Sequence, residues 1–289
     1  MKKIWTTIVA VVLIATLCVS FAACNKKTNK NNTNNNGSTI SQDTNKTETD
    51  TSSAGKGDGD KQTDETGNES SNKDTTGDSS VLVDTKGLQY SLLDNDSYAV
   101  TGYTGTAIDV VIPAQYEGKA VTVIGEKAFQ YCTSLTEITI PDSVTSIGRL
   151  AFSRCSELTT ITIPAGVTSI GNSAFFGCSG LTSVTIPDSV TSIENGAFFG
   201  CIGLTSITIP EGVTSIENGA FYGCSGLTSI TIGSGVTFIG GGAFSGCSGL
   251  TSINYQVTTA QWNAIIKGRD WNYDTGDYVI HCTDGDISK

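Results

Sequence analysis

From residue 108 onward the chain repeats one pattern of apolar and polar positions. The clearest copy runs from Cys178 to Gly200, CSGLTSVTIPDSVTSIENGAFFG. Its apolar positions are Leu181, Val184, Ile186, Val190, Ile193, Ala197 and Phe198. Val184 and Ile186 alternate with Ser183 and Thr185, the period-two pattern of a half-buried strand. Pro187 follows, and proline has no N–H for a ladder, so the strand ends there. Val190 and Ile193 return to the core through a short extended or turn segment, and Ala197-Phe198 closes the unit.

The unit recurs every 23 residues. Cysteines stand at Cys132, Cys155, Cys178, Cys201, Cys224 and Cys247. Phenylalanines stand at Phe129, Phe152, Phe175, Phe198, Phe221 and Phe244, and leucines at Leu135, Leu158, Leu181, Leu204, Leu227 and Leu250. Pro141, Pro164, Pro187 and Pro210 keep the step, and Gly233 takes the next slot. A unit that cannot bury its apolar face alone must stack on its neighbours, so the period predicts a repeat solenoid. Coils stacked about 4.8 Å apart turn equivalent residues into ladders. Twenty-three residues have no room for a crossover helix, which predicts a mainly β coil with one short strand per repeat. The return side is expected to be irregular or 3-10. The Cys ladder is read as buried free thiols, because side chains pointing the same way suit packing better than bridging.

The pattern L-T-S-I-T-I-P-x-x-V-T-S-I-x-x-x-A-F-x-G-C resembles the BspA-type leucine-rich repeat of bacterial surface proteins, from about Ile108 to Tyr255. The resemblance implies a right-handed, curved leucine-rich-repeat coil with a sheet on one face. It also implies a place on the cell surface and, in some members, adhesion to a matrix or to other cells. It brings no catalytic residue with it.

The flanks read differently. Residues 1–24 pair Lys2 and Lys3 with an apolar run from Ile4 to Val19, the layout of a signal peptide. Phe21-Ala22-Ala23-Cys24 resembles a bacterial lipobox, with Phe21 where Leu is usual, and implies lipidation of Cys24. An ordinary leader cut near Ala23 is the alternative. Residues 25–80 hold seven Lys, ten Asp or Glu, Ile40 as the one large aliphatic and no aromatic residue. Such a segment cannot bury enough apolar area to offset chain entropy, so a disordered polar linker is expected. It would span about 40 Å on average. Residues 81–131 are expected to form an N-terminal cap and the first repeat. A hairpin is expected there, from Leu88–Leu92 and Tyr98–Val100 around Asp94-Asn95-Asp96. Residues 132–254 are the repeats, and 255–289 a C-terminal cap with a short helix near Thr259–Ile266 and a last strand at Tyr278–Cys282.

Two surfaces are candidate ligand sites. One is the polar side of the strands, where Thr160, Thr162, Ser183, Thr185, Ser206, Thr208, Ser229 and Thr231 form a hydroxyl-lined face. The same residues equally make a plain soluble strand surface. The other is the slot after the ladder phenylalanine: Gln130, Ser153, Phe176, Phe199, Tyr222 and Ser245. It is aromatic only in the three central units, whereas the core ladders are uniform, so Phe176, Phe199 and Tyr222 could form a contact patch or fold down against the next coil. Glu194 and Glu217 add acid nearby, in a slot held by Gly148 and Gly171.

Composition narrows the partners. The net charge is −11 and the arginines are Arg149, Arg154 and Arg269, which argues against nucleic acid. The single histidine, His281, sits beside Cys282 on an expected strand, where neighbours point to opposite faces. No GxSxG, HExxH or P-loop pattern occurs. The expectation is a non-enzymatic protein without metal or cofactor. It would be anchored to the outer face of the bacterial membrane through its N-terminal lipid, with an extracellular protein or glycan as ligand. A passive spacer of the cell envelope is the second reading.

Overall fold

The computed structural model describes residues 86–289. The expected leader, Cys24 and the linker lie outside the described residues.

Each 23-residue unit places two strands and a run of turns around an apolar interior. The first strands of successive units are β3 (Asp109–Val111), β6 (Glu137–Thr139), β8 (Thr160–Thr162), β10 (Ser183–Thr185), β12 (Ser206–Ile209), β14 (Ser229–Ile232) and β16 (Ser252–Tyr255). They are followed by β18 (Val279–Cys282) from the cap. Neighbours pair parallel in a register of one unit, Ser206 on Ser229 and Ile207 on Ile230. Where the regular pairing lapses, the Thr159 N–H donates to the Thr136 carbonyl at 3.2 Å and Thr205 to Thr182 at 3.4 Å. The face is therefore continuous.

The expectation of one strand per repeat is corrected to two. The second strands are β5 (Lys119–Ile124), β7 (Ser146–Ile147), β9 (Ser169–Ile170), β11 (Ser192–Ile193), β13 (Ser215–Ile216) and β15 (Phe238–Ile239), joined by β17 (Ile266–Lys267). They form one parallel sheet, with Ser146 on Ser169 and Ser215 on Phe238. Two residues suffice because flanking amides extend the ladder: Thr214 donates to Thr191 at 2.9 Å and Glu217 to Ile193 at 2.8 Å.

The third side is built of turns rather than 3-10 helix. Amides alternate between two acceptors. Ala197, Phe199 and Cys201 close four-residue turns onto Glu194, Gly196 and Phe198. Phe198 and Gly200 donate to Ala220 and Tyr222 of the next coil at 2.8 Å. Two left-handed residues per segment, such as Gly196 (φ 59) and Gly200 (φ 70), stop any helix from propagating. In earlier units the second of these slots holds Tyr131 and Arg154, which throws their side chains outward.

The interior is the set of ladders the period predicts. Phe129 through Phe244, Leu135 through Leu250 and the six ladder cysteines are all at most 1% exposed. The phenyl rings stack face to face at 5.2–5.4 Å. Tyr103 covers the first ring at 5.7 Å and Trp271 the last at 6.3 Å. The N-terminal hairpin is present as β1 (Leu88–Leu92) against β2 (Tyr98–Tyr103), and β2 continues the second sheet beside β5. The longer first return segment is a second small hairpin, β4 (Gln115–Tyr116) on β5. At the other end α1 (Thr259–Ala264) starts at Thr258 with a reciprocal cap to Gln261 and buries Trp262. The expected last strand, β18, turns back into an unforeseen β19 (Gly285–Ser288).

One departure from the repeat is structural. Gly233 occupies the proline slot, yet its N–H donates to the Ile209 carbonyl at 2.9 Å. A Cβ there would lie 2.6 Å from Glu211 N and from the Pro210 carbonyl carbon. Gly233→Pro, which restores the repeat consensus, is therefore expected to destabilise the protein by about 3 kcal/mol through a lost hydrogen bond and overpacking. Urea denaturation of the two proteins checks this. A gain in stability would contradict the tight approach.

Candidate functional site

The hydroxyl face is where the alternation placed it. Thr160, Thr162, Ser183, Thr185, Ser206 and Thr208 are exposed, and Ser229 and Thr231 are half-buried. A neighbouring ladder is already engaged: Thr159, Thr182, Thr228 and Thr251 each donate their hydroxyl to the equivalent threonine carbonyl one coil back, at 3.1–3.3 Å. The face residues themselves are bare toward solvent. Only Ser229 has a side-chain partner among them, Asn254 Nδ2 at 3.4 Å. Thr208 and Thr231 also line a cavity of about 420 Å³ beside Gly233, together with Asp188, Pro210, Glu211 and Gln256.

The aromatic slot forms a second, outer stack on the turn side. Phe176 and Phe199 lie 5.0 Å apart at 18°, and Phe199 and Tyr222 4.7 Å apart at 12°. Phe176 and Phe199 are half-buried, while Tyr222 is 42% exposed. These rings pack on one another, and Tyr222 remains partly in solvent. Sequence reasoning missed how the stack begins. The Arg154 guanidinium sits 5.5 Å from the Phe176 centroid and 5.8 Å from that of Tyr131. Arg154 and Tyr131 belong to the left-handed slot one residue further along, so the ladder of single positions hides the contact.

An asparagine ladder runs along the same turns and was also missed. Asn195 Nδ2 donates to Asn172 Oδ1 at 3.2 Å, and Asn218 Nδ2 to Asn195 Oδ1 at 3.3 Å. Asn218 Oδ1 then accepts the Gly241 N–H at 2.7 Å, which closes the ladder on backbone. Three asparagines at a step of 23 were a sufficient signal. Glu194 and Glu217 open these turns, and Ser192 Oγ donates to Glu194 Oε1 at 2.7 Å.

The ladder thiols are sealed in the interior. All six ladder cysteines are buried, and from Cys155 to Cys247 each S–H donates to a phenylalanine carbonyl of the preceding coil at 3.1–3.2 Å. Burial pushes Cys178 and Cys247 up to about 12, and Cys201 and Cys224 also well up. In the cap, Cys282 is half-buried and raised by burial and by Asp284 and Asp286. His281 points to solvent, with Nδ1 3.0 Å from Asp286 Oδ1.

The repeat geometry agrees with a family description. The BspA type leucine rich repeat region matches the chain in six copies, over residues 110–198 and 168–266. The chain belongs to this repeat family. No curated protein matches it. Among solved structures, this repeat protein is similar to the leucine-rich repeat protein of T. pallidum, with 30% identity and a TM-score of 0.59, over 65% of this chain and 98% of that one. A leucine-rich repeat protein of Bacteroides ovatus matches at 26% identity and a TM-score of 0.41, over 68% of each chain. A leucine-rich cell surface protein of Faecalibacterium prausnitzii matches at 22% identity and a TM-score of 0.37, over 65% of this chain and 98% of that one.

Proposed function

We propose that this repeat protein is held at the outer surface of a bacterial cell by a lipid on Cys24. There it binds an extracellular protein or glycan through its turn side, in adhesion or contact with other cells. The lipid reading rests on the leader and on small residues placed immediately before a cysteine. Diacyl and N-acyl chains together would make such anchoring stable. The binding reading rests on one observation above the others. The outer stack of Phe176, Phe199 and Tyr222 interrupts an otherwise uniform repeat and leaves Tyr222 42% exposed. Adjacent aromatic rings that remain partly exposed are a contact candidate, because aromatic residues dominate the centres of contact surfaces. The solenoid is a binding scaffold in this reading and carries no catalysis.

Immobilised protein screened against matrix proteins, mucins and glycans tests the proposal. The control is the triple change Phe176→Ser, Phe199→Ser, Tyr222→Ser. Serine already fills this slot at Ser153 and Ser245, so the fold is expected to survive. A saturable ligand lost on the triple change supports the stripe. A ligand indifferent to the change moves the site to the hydroxyl face, and no ligand at all favours a spacer.

A further inference from the structure

From Cys155 to Ile266 the chain contains no Lys, Arg or His, while Glu157, Asp188, Glu194, Glu211 and Glu217 all lie there. None of these five carboxylates is in an ion pair. The ion pairs among the described residues join Lys119 to Asp96, Lys127 and Arg149 to Glu126, and His281 to Asp286. Glu194 and Glu217 occupy equivalent positions on adjacent coils, in a slot that is glycine at Gly125, Gly148, Gly171 and Gly240. Like charges stacked this way repel, and no cation of the described chain offsets them. Each opens a pair of overlapping turns that ends on an aromatic residue. Ala197 donates to Glu194 and Phe199 to Gly196. In the next coil Ala220 donates to Glu217 and Tyr222 to Gly219. Acid and ring are thus held together in the same two units.

The aromatic stack has two ends, and they are treated differently. At the Phe176 end the Arg154 guanidinium covers the ring. At the Tyr222 end the next unit reads Gly240-Gly241-Gly242, with Ser245 in the aromatic slot. A Cβ placed on Gly242 would lie 3.7 Å from Tyr222 Cδ2, Ser245 is buried, and Tyr222 remains 42% exposed at this end of the stack. The next cation along the chain after Ile266 is Lys267, which stands over Trp262. Arg269, beside Gly242 in the following coil, stands over no ring of the stripe.

We propose that the Tyr222 end of the stack, with Glu217 and Glu194 on the same turns, receives an arginine or lysine side chain from a basic segment of a partner protein. This rests on the reading that the stripe is the contact surface, and it names the class of ligand. A guanidinium stacks on an exposed aromatic ring and pairs with a carboxylate; Tyr222 is 42% exposed, and Glu217 opens the turns that Tyr222 closes. The molecule already makes the same contact internally, with Arg154 on Phe176. A sugar chain is a poorer fit, because a neutral ligand gains no ion pair from Glu194 and Glu217. The excess of carboxylates between Cys155 and Ile266 would also steer a basic segment toward these units at low salt.

Fluorescence anisotropy with the whole protein and a labelled peptide of alternating Arg and Gly tests this. The comparison peptide carries citrulline at every Arg, which keeps the planar group and removes the charge. The Arg peptide is expected to bind at least about tenfold more tightly than the citrulline peptide, with affinity falling as salt rises. Tyr222→Ser is expected to weaken binding about fivefold. Glu194→Gln with Glu217→Gln is expected to weaken it and flatten the salt dependence. Asp188→Asn with Glu211→Gln removes the same charge elsewhere and is expected to change affinity less than twofold. Equal binding of the two peptides overturns the proposal. So does a loss in the Asp188/Glu211 variant as large as that in the Glu194/Glu217 variant. A neutral ligand captured through the stripe, with no binding of the Arg peptide, overturns the cation site and leaves the stripe as the contact surface.

Discussion

Between pH 9 and pH 12 the solenoid is expected to lose stability by about 1.4 kcal/mol per pH unit for each buried thiol. In the unfolded chain a cysteine titrates at about 8.5. In the fold, burial pushes Cys178 and Cys247 up to about 12, and Cys201 and Cys224 rise as well. A raised acid constant for a group that is neutral when protonated means that the fold favours the thiol over the thiolate. Its contribution is complete below the unfolded value, where both states hold the proton. Above that value the unfolded chain releases protons that the native chain keeps, and stability falls until the folded value is reached. Four thiols together give a slope of about 5 kcal/mol per pH unit near pH 10–11. That is enough to unfold a domain of ordinary stability within two units. Tyr255 and Tyr278, raised by burial, act in the same direction, and Lys267, lowered by burial, acts against it. Urea midpoints at pH 8, 9.5 and 10.5 measure the slope. Cys201→Ala should reduce it by about a quarter. A pH-independent midpoint, or native thiolate absorbance appearing near pH 9, would show that the ladder is not sealed.

The same ladder shows what a periodic sequence makes visible. Every position that recurs with one chemistry, such as Cys201 or Leu204, reads directly as interior, because a stack can be filled only by equivalent residues. The hairpin at Leu88–Tyr103 and the capped helix at Thr259 were legible from local rules alone. The second strand was not, because Ser192-Ile193 is too short to show alternation and becomes a strand only through its neighbours. The form of the turn side stayed open between irregular and 3-10 structure for a related reason. Its left-handed residues are glycine at Gly200 and Gly223 but Tyr131 and Arg154 in earlier units, so the glycine signature is broken where it was needed. The aromatic stripe was legible because it varies among constant ladders. Its Arg154 end was not, because the contact joins two different slots on adjacent coils.

Phe198→Ala should cost about 4 kcal/mol, because it removes a fully buried ring from the middle of the inner stack. Phe198 lies 5.2 Å from Phe175 and 5.3 Å from Phe221, so the cavity opens against both neighbouring coils. In a solenoid each unit is held only by the units beside it, and weakening one central interface uncouples the two halves. Two of the three tryptophans, Trp262 and Trp271, sit in the C-terminal cap, so their fluorescence follows that half while circular dichroism follows the whole. The two signals should coincide on urea unfolding of the wild type and separate in Phe198→Ala. Tyr222→Ser supplies the contrast, with an expected cost below about 1 kcal/mol, since its ring is 42% exposed and serine serves in the same slot elsewhere. Coincident transitions with a shift below about 1 kcal/mol in Phe198→Ala would mean that the stack is not what couples the coils. Large losses from Tyr222→Ser would make the outer rings part of the core. The expected pair of results, a costly inner ring beside a cheap outer one, separates the ladder that holds the fold from the stripe the fold presents.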